Sequence, residues 1–157
     1  MTLLREYHRL RVKGWQALTA FDAAKTRVAW HQSDMQGLVR LRVVPDECSD
    51  MDNLKGDCFN PKVNADIPAS RLEREERAFE DRVDRLGVWG IVGEYFDGEE
   101  WQHADSVWGF VGEDWQDSGY DIDVMRMTLD ALTTLEHCPN CGRPKLKAEE
   151  HGAYADA

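Results

Sequence analysis

From Leu86 to Met125 the chain has no lysine or arginine: these forty residues carry ten carboxylates and eight aromatic side chains without one cation. Other absences bound the protein further. No run approaches the roughly 18 consecutive apolar residues of a membrane span, and the opening MTLLREYHRLRVKGW lacks the unbroken apolar stretch of a signal peptide. A soluble cytoplasmic protein with no membrane partner is therefore expected. Cysteine is scarce, and in a reducing compartment Cys48, Cys58, Cys138 and Cys141 are expected as thiols or metal ligands, not as structural disulfides. The chain has no G-x-S-x-G, no Walker A loop, no G-x-G-x-x-G and no H-E-x-x-H. These absences favour a protein that is not an enzyme.

What is present argues for a folded chain. At 157 residues it fits a single domain able to bury a core without disulfide or metal staples. Its 42% hydrophobic content and six tryptophans separate it from disordered sequences, which lack the apolar residues that offset ordering entropy. Charge is divided unevenly. Residues 1–45 hold eight Lys/Arg against three Asp/Glu, and residues 46–157 hold eleven against twenty-seven, within a net charge of -11. That balance disfavours direct nucleic-acid binding, which needs a positive surface to neutralise phosphates.

Periodicity suggests an α+β fold: a small, mainly antiparallel sheet packed by two or more helices, occupying residues 1–137, with a CxxC turn and polar tail at 138–157. Leu3, Leu4, Tyr7 and Leu10 suit a helix that Gly14 interrupts, and Trp15, Leu18 and Phe21 suit a second. Val39, Leu41 and Val43 alternate with Arg40 and Arg42 as in a half-buried strand closed by Pro45. Residues 46–69 read as a long loop that its cysteines could pin. Ser70 and Glu73 have capping-box spacing before a stripe of Leu72, Phe79, Val83 and Leu86 that Gly87 stops. On the helix surface, Glu73 with Arg77 and Asp81 with Arg85 have acid-first ion-pair spacing. An internal echo, VWGIVGE at 88–94 and VWGFVGE at 107–113, predicts two strands joined as an antiparallel hairpin. Gly90 and Gly109 within it mark a bend or a close approach. A final helix from about Tyr120 to Glu136 presents Ile122, Met125, Leu129, Leu132 and Leu135, with Asp117 or Ser118 as its cap. Asp121 and Asp123 fall in its first turn, where the helix dipole favours acids.

Two constellations carry candidate chemistry. Cys138-Pro139-Asn140-Cys141-Gly142 resembles half of a zinc knuckle, and Cys48 with Cys58 would complete four ligands for a structural zinc. A metal-free pair is the commonest alternative. The second constellation is the acidic and aromatic segment itself. Its strand aromatics, Trp89 or Trp108 and Phe110, are expected in the core. Trp101 and Trp115 sit in acid-rich connections, where large rings among carboxylates suit an interface. The candidate partner-binding set is therefore Glu94, Asp97, Glu99, Glu100, Trp101, Asp105, Glu113, Asp114, Trp115 and Asp117.

GVWGIVGEY and ADSVWGFVGEDWQDSGYDIDVM resemble segments of small acidic phage, prophage or plasmid-borne proteins, over roughly residues 86–130. The resemblance implies a mobile-element origin and an inhibitor of the anti-restriction or anti-CRISPR kind. Such a protein would act as a nucleic-acid mimic in the basic groove of a host defence protein, in the host cytoplasm. Two other readings compete. One is a structural or adaptor protein whose basic N-terminal part neutralises the acidic part, within a chain or across a homodimer. The other is a divalent-metal hydrolase or nuclease, which would need several carboxylates to converge.

Overall fold

A computed structural model describes residues 1–135 of the chain. In chain order its elements are α1 (Leu3–Val12), α2 (Ala17–Met35), β1 (Val39–Pro45), α3 (Met51–Lys55), α4 (Ala69–Leu86), β2 (Val88–Phe96), β3 (Trp101–Val111), α5 (Trp115–Ser118) and α6 (Tyr120–Thr133). The strands form one sheet in the order β1-β2-β3. Phe96 N donates to Leu38 O at one end of the β1/β2 pair and Asp46 N to Val88 O at the other, so the pair is antiparallel. The expected α+β class is what forms. By contacts the chain divides into two compact units. One comprises Met1–Arg42, Val92–Ser106 and the chain from Gly119, and the other Val43–Ile91 with Val107–Ser118.

In the first unit, Gly14 adopts φ 88 and separates α1 from α2, as the sequence suggested. The buried face of α2 differs from the expected one. Leu18 and Phe21 are exposed at 83% and 41%, whereas Ala20, Ala23 and Ala24 are buried with Leu10 and Ile122. Alanine carries little apolar area, so a search for large hydrophobics misses this face, yet its small side chains let helices approach closely. Trp30, Leu38, Val39 and Leu132 form a second cluster. On α6 the buried side chains are Asp121, Ile122, Val124, Thr128 and Leu132, a stripe turned from the predicted one by two unanticipated polar residues. Thr128 Oγ1 satisfies itself on Val124 O at 2.7 Å. Its cap is Gly119, with φ 82, instead of Asp117 or Ser118.

Three charged side chains meet among these helices. Glu6 of α1 and Asp121 of α6 have side chains only 4% exposed. Arg27 of α2 donates from Nη2 to Asp121 Oδ2 at 2.6 Å and places Nε 3.5 Å from Glu6 Oε1. Arg9 adds a fork of hydrogen bonds to Glu6, from Nε at 2.9 and 3.0 Å and from Nη2 at 2.5 Å. Burial alone would raise the Glu6 pKa, but the Arg9 hydrogen bond and the charges of Arg9, Arg27 and Lys13 outweigh it, leaving the carboxyl below its usual range. For Asp121 burial prevails over Arg27 and the backbone, and its pKa is raised. The two acids of one network are thus driven in opposite directions.

In the second unit, residues 46–69 are held by ion pairs and rings. Lys55 Nζ bonds Glu76 Oε1 and Glu80 Oε1 of α4, each at 2.8 Å, and Phe59 meets Phe79 with centroids 5.7 Å apart. Those hydrogen bonds, donated first to Glu76 and then to Glu80, raise the Lys55 pKa. Cys48 and Cys58 are exposed and form no disulfide among the described residues. The short α3 interrupts what the sequence presents as loop; Asp50 caps it by accepting from Asn53 N at 2.7 Å. On α4 the predicted capping box does not form. Pro68 occupies the cap, its carbonyl accepting from Arg71 N and Leu72 N, so Ser70 already lies inside the helix. Gly87 ends it with φ 71 as expected. The i,i+4 ion pair present on α4 is Arg71–Glu75 at 2.8 Å, not Glu73–Arg77 or Asp81–Arg85.

The echoed strands do form the predicted antiparallel hairpin, closed by Asp97 N to Glu100 O at 3.1 Å and by Gly112 N to Gly87 O at 3.1 Å. Ten residue steps separate Gly87 from Asp97 and twelve separate Glu100 from Gly112, so β3 must bulge. Gly109, with φ 89, is the one residue inside β3 with positive φ and marks the bend. At Gly90 a Cβ would fall 2.2 Å from the ring of Trp108, confirming the close approach the sequence pointed to. Gly93 was not anticipated. A Cβ there would meet Thr128 Oγ1 at 2.1 Å and Val124 Cγ1 at 2.7 Å, both on α6.

Gly93→Ala should therefore cost about 1–3 kcal/mol by overpacking, read as a lowered urea midpoint with unchanged slope. The pH dependence of Glu6→Gln follows from sign. A folded-state pKa below the unfolded value gives stability that is present above about 4.5, the ordinary Glu6 value, and is lost as pH falls through the lowered one. The stability gap between wild type and Glu6→Gln should thus be constant at neutral pH and close in acid, as urea unfolding from pH 7 to pH 3 will measure.

Candidate functional site

The ten expected partner-binding residues divide between the units, and only some remain available. Glu94, Asp97, Glu99, Glu100, Trp101 and Asp105 belong to the first unit, and Glu113, Asp114, Trp115 and Asp117 to the second.

In the first unit the chain's own N-terminal cations occupy two members of the set, Glu94 and Trp101. The β1/β2 register sets Arg40 opposite Glu94, whose side chain is 12% exposed. Arg40 Nε donates to Glu94 Oε2 at 2.5 Å, and Arg42 Nη1, from the same face of β1, reaches Oε1 at 3.3 Å. The Arg40 guanidinium also stacks over Trp101, 4.2 Å from the ring centroid, while Phe96 packs on the same indole at 5.6 Å. Trp101 is the first residue of β3 and half-buried, not a ring displayed in a connection. Asp97 accepts from Glu99 N and Glu100 N at 2.8 and 2.9 Å and from Gln102 Nε2, which is turn chemistry. Glu99 and Glu100 are exposed at the turn and Asp105 is half-buried on β3. The alternating arginines of β1 are visible in the sequence. Their partner was not, because only strand register identifies Glu94.

In the second unit three of the four remaining members, Glu113, Asp114 and Trp115, come together. Gly87 ends α4 and Gly112, with φ 60, leaves β3; their hydrogen bond sets residues 113–116 beside the last turns of α4. Between them opens a groove of about 620 Å3 lined by Val43, Arg82, Leu86, Trp89, Gly112, Glu113, Asp114, Trp115 and Gln116. Gly112 allows this closeness, since a Cβ there would lie 3.1 Å from Leu86 Cδ1. Trp89 is fixed by its Nε1–H, which donates to Leu86 O at 2.9 Å. Val43 and Leu86 are exposed at 41% and 40%, leaving apolar surface open along the groove. Glu113 and Asp114 stand exposed on its rim, and Arg82 Nη2 pairs with Asp114 Oδ1. Asp117 lies exposed in α5. The sequence named Glu113, Asp114 and Trp115, but not Arg82, Leu86 or Trp89.

Cys48 and Cys58 belong to the second unit; Cys138 and Cys141, with the whole CxxC turn, lie outside the described residues. Among the described residues no three His, Cys, Asp or Glu side chains group so as to hold a metal ion, and no helix is long and apolar enough to cross a membrane. Comparison with protein-family models, curated proteins and solved structures returned no match.

Arg40→Ala removes a charge-assisted hydrogen bond to Glu94 and the cation over Trp101. A loss of about 1–3 kcal/mol is expected in urea unfolding, with a red-shifted tryptophan emission as the indole meets water.

Proposed function

We propose that the protein is a non-enzymatic acidic binding protein that occupies a basic surface of a partner, with the groove of the second unit as its contact site. One observation carries the reading. Glu113 and Asp114 border exposed apolar surface and two tryptophans, the combination of rim charge and aromatic anchor from which protein interfaces draw affinity. The partner class is a host nucleic-acid-processing protein, of the kind that defends against mobile elements. Its Lys- and Arg-lined groove for phosphates would accept carboxylates through the same contacts and long-range steering. That choice rests on the resemblance read from the sequence of residues 86–130 to phage and prophage segments, for which the comparisons returned no match.

A specific observation favours a second reading. Arg40 and Arg42 neutralise Glu94, and Arg27 neutralises Asp121, as expected of a structural protein whose basic and acidic parts serve each other. That accounts for Glu94 and Asp121 of the first unit and leaves the rim of the groove unexplained, so the binding reading is preferred.

The test is affinity capture from nuclease-treated lysate of the native host at low and high salt, with wild type and a Glu113→Lys/Trp115→Ala variant. A nucleic-acid-processing complex should be recovered by wild type, diminish with salt, and fall at least about thirtyfold with the variant, the scale of losing an interface anchor. Recovery of the protein alone, or capture unchanged in the variant, would contradict the proposal.

A further inference from the structure

The groove of the second unit is negative from two sources. Glu113 and Asp114 supply formal charge at the rim. The groove also lies at the C-terminal end of α4, where carbonyls of the last turn carry partial negative charge. Arg82 is the one cation among its lining residues, and its guanidinium rests on Asp114. The two side chains are 40% and 47% exposed, so water and salt reach the pair and a competing cation can displace it. Trp89, Trp115 and Leu86 line the same groove as the pair, an apolar surface suited to the methylene stem of a long cationic side chain whose head meets a carboxylate.

We propose that Arg82 is a resident stand-in for a partner's cation. The groove takes a peptide segment bearing lysine or arginine, whose charge replaces Arg82 on Asp114 and whose stem lies along the two tryptophans. This rests on the reading of the groove as the partner-binding site and names what enters it. Open apolar surface at Val43 and Leu86 extends beyond what one small cation would cover, which favours a peptide with apolar residues beside the charged one. A nucleic acid is disfavoured because its phosphates would face Glu113 and Asp114.

The experiment is fluorescence anisotropy of a labelled peptide of alternating lysine and leucine, titrated at low salt with the full-length protein and its variants. Removing the stand-in by Arg82→Gln should tighten binding by up to about fivefold, the scale of an exposed ion pair. Asp114→Asn should weaken it, and Trp115→Ala should weaken it further. Arg77→Gln, which removes an equal charge from α4 outside the groove, should leave affinity unchanged; thermal unfolding verifies that each variant is folded. Unchanged or weaker binding by Arg82→Gln would overturn the stand-in assignment, as would an equal gain from Arg77→Gln. Absence of peptide binding by wild type and Arg82→Gln alike would overturn it too. A complex still captured from lysate in that case would leave the broader binding function standing.

Discussion

Arg27 is the side chain on which the first unit depends. It lies between two carboxylates that are almost wholly buried, Glu6 from α1 and Asp121 from α6, and is itself anchored on α2. Taking an ionised carboxylate out of water costs several kcal/mol, and a guanidinium in contact is what makes two such burials compatible with folding. The compensation is incomplete. Among the described residues Asp121 Oδ1 and Arg27 Nε are buried without a hydrogen-bond partner, and burial still prevails in raising the Asp121 pKa. An apolar contact tolerates sliding, whereas this arrangement is satisfied only when three helices meet in one register. That register sets Ile122 among the alanines of α2, and the same helix α6 brings Val124 and Thr128 against Gly93.

The same economy of charge orders the functional reading. A segment with ten carboxylates and no cation of its own invites an external partner. Two of those acids are instead met by arginines from the N-terminal third: Glu94 by Arg40 and Arg42, and Asp121 by Arg27. Arg40 also covers Trp101, removing an aromatic anchor from the exposed set. In the second unit Glu113 and Asp114 line a groove with a single arginine, paired with Asp114, and two tryptophans. Acidity alone therefore does not define the candidate interface. What distinguishes the groove is acid combined with apolar surface left open.

Much of the fold was legible because period and punctuation agree with tertiary demand. The alternation from Val39 to Val43, the glycine stops at Gly14 and Gly87, and the echoed VWG segments each became the element they suggested. Where reading failed, a nonlocal partner decided. Leu18 and Phe21 looked like core and are exposed, because the helix packs through alanines whose burial has no signature without knowing what lies opposite. Ser70 had cap spacing but lost the position to Pro68, whose fixed φ begins the helix earlier. Glu94 and Trp101 looked like interface residues until strand register supplied Arg40. Trp115 and its acidic neighbours were legible as a candidate surface; the wall opposite, Arg82, Leu86 and Trp89, was not, since it joins them only through the pairing of Gly87 with Gly112.

N-terminal arginines are committed to acids inside the chain, and Arg27 with Asp121 is the most buried instance. A double-mutant cycle of Arg27→Met and Asp121→Asn, followed by urea unfolding at pH 7, measures that commitment directly. A coupling energy of roughly 1–3 kcal/mol is predicted, with the double variant more stable than additivity allows because it leaves no Asp121 charge stranded. Additivity within about 0.5 kcal/mol would contradict the account, showing that the two charges fold independently of each other.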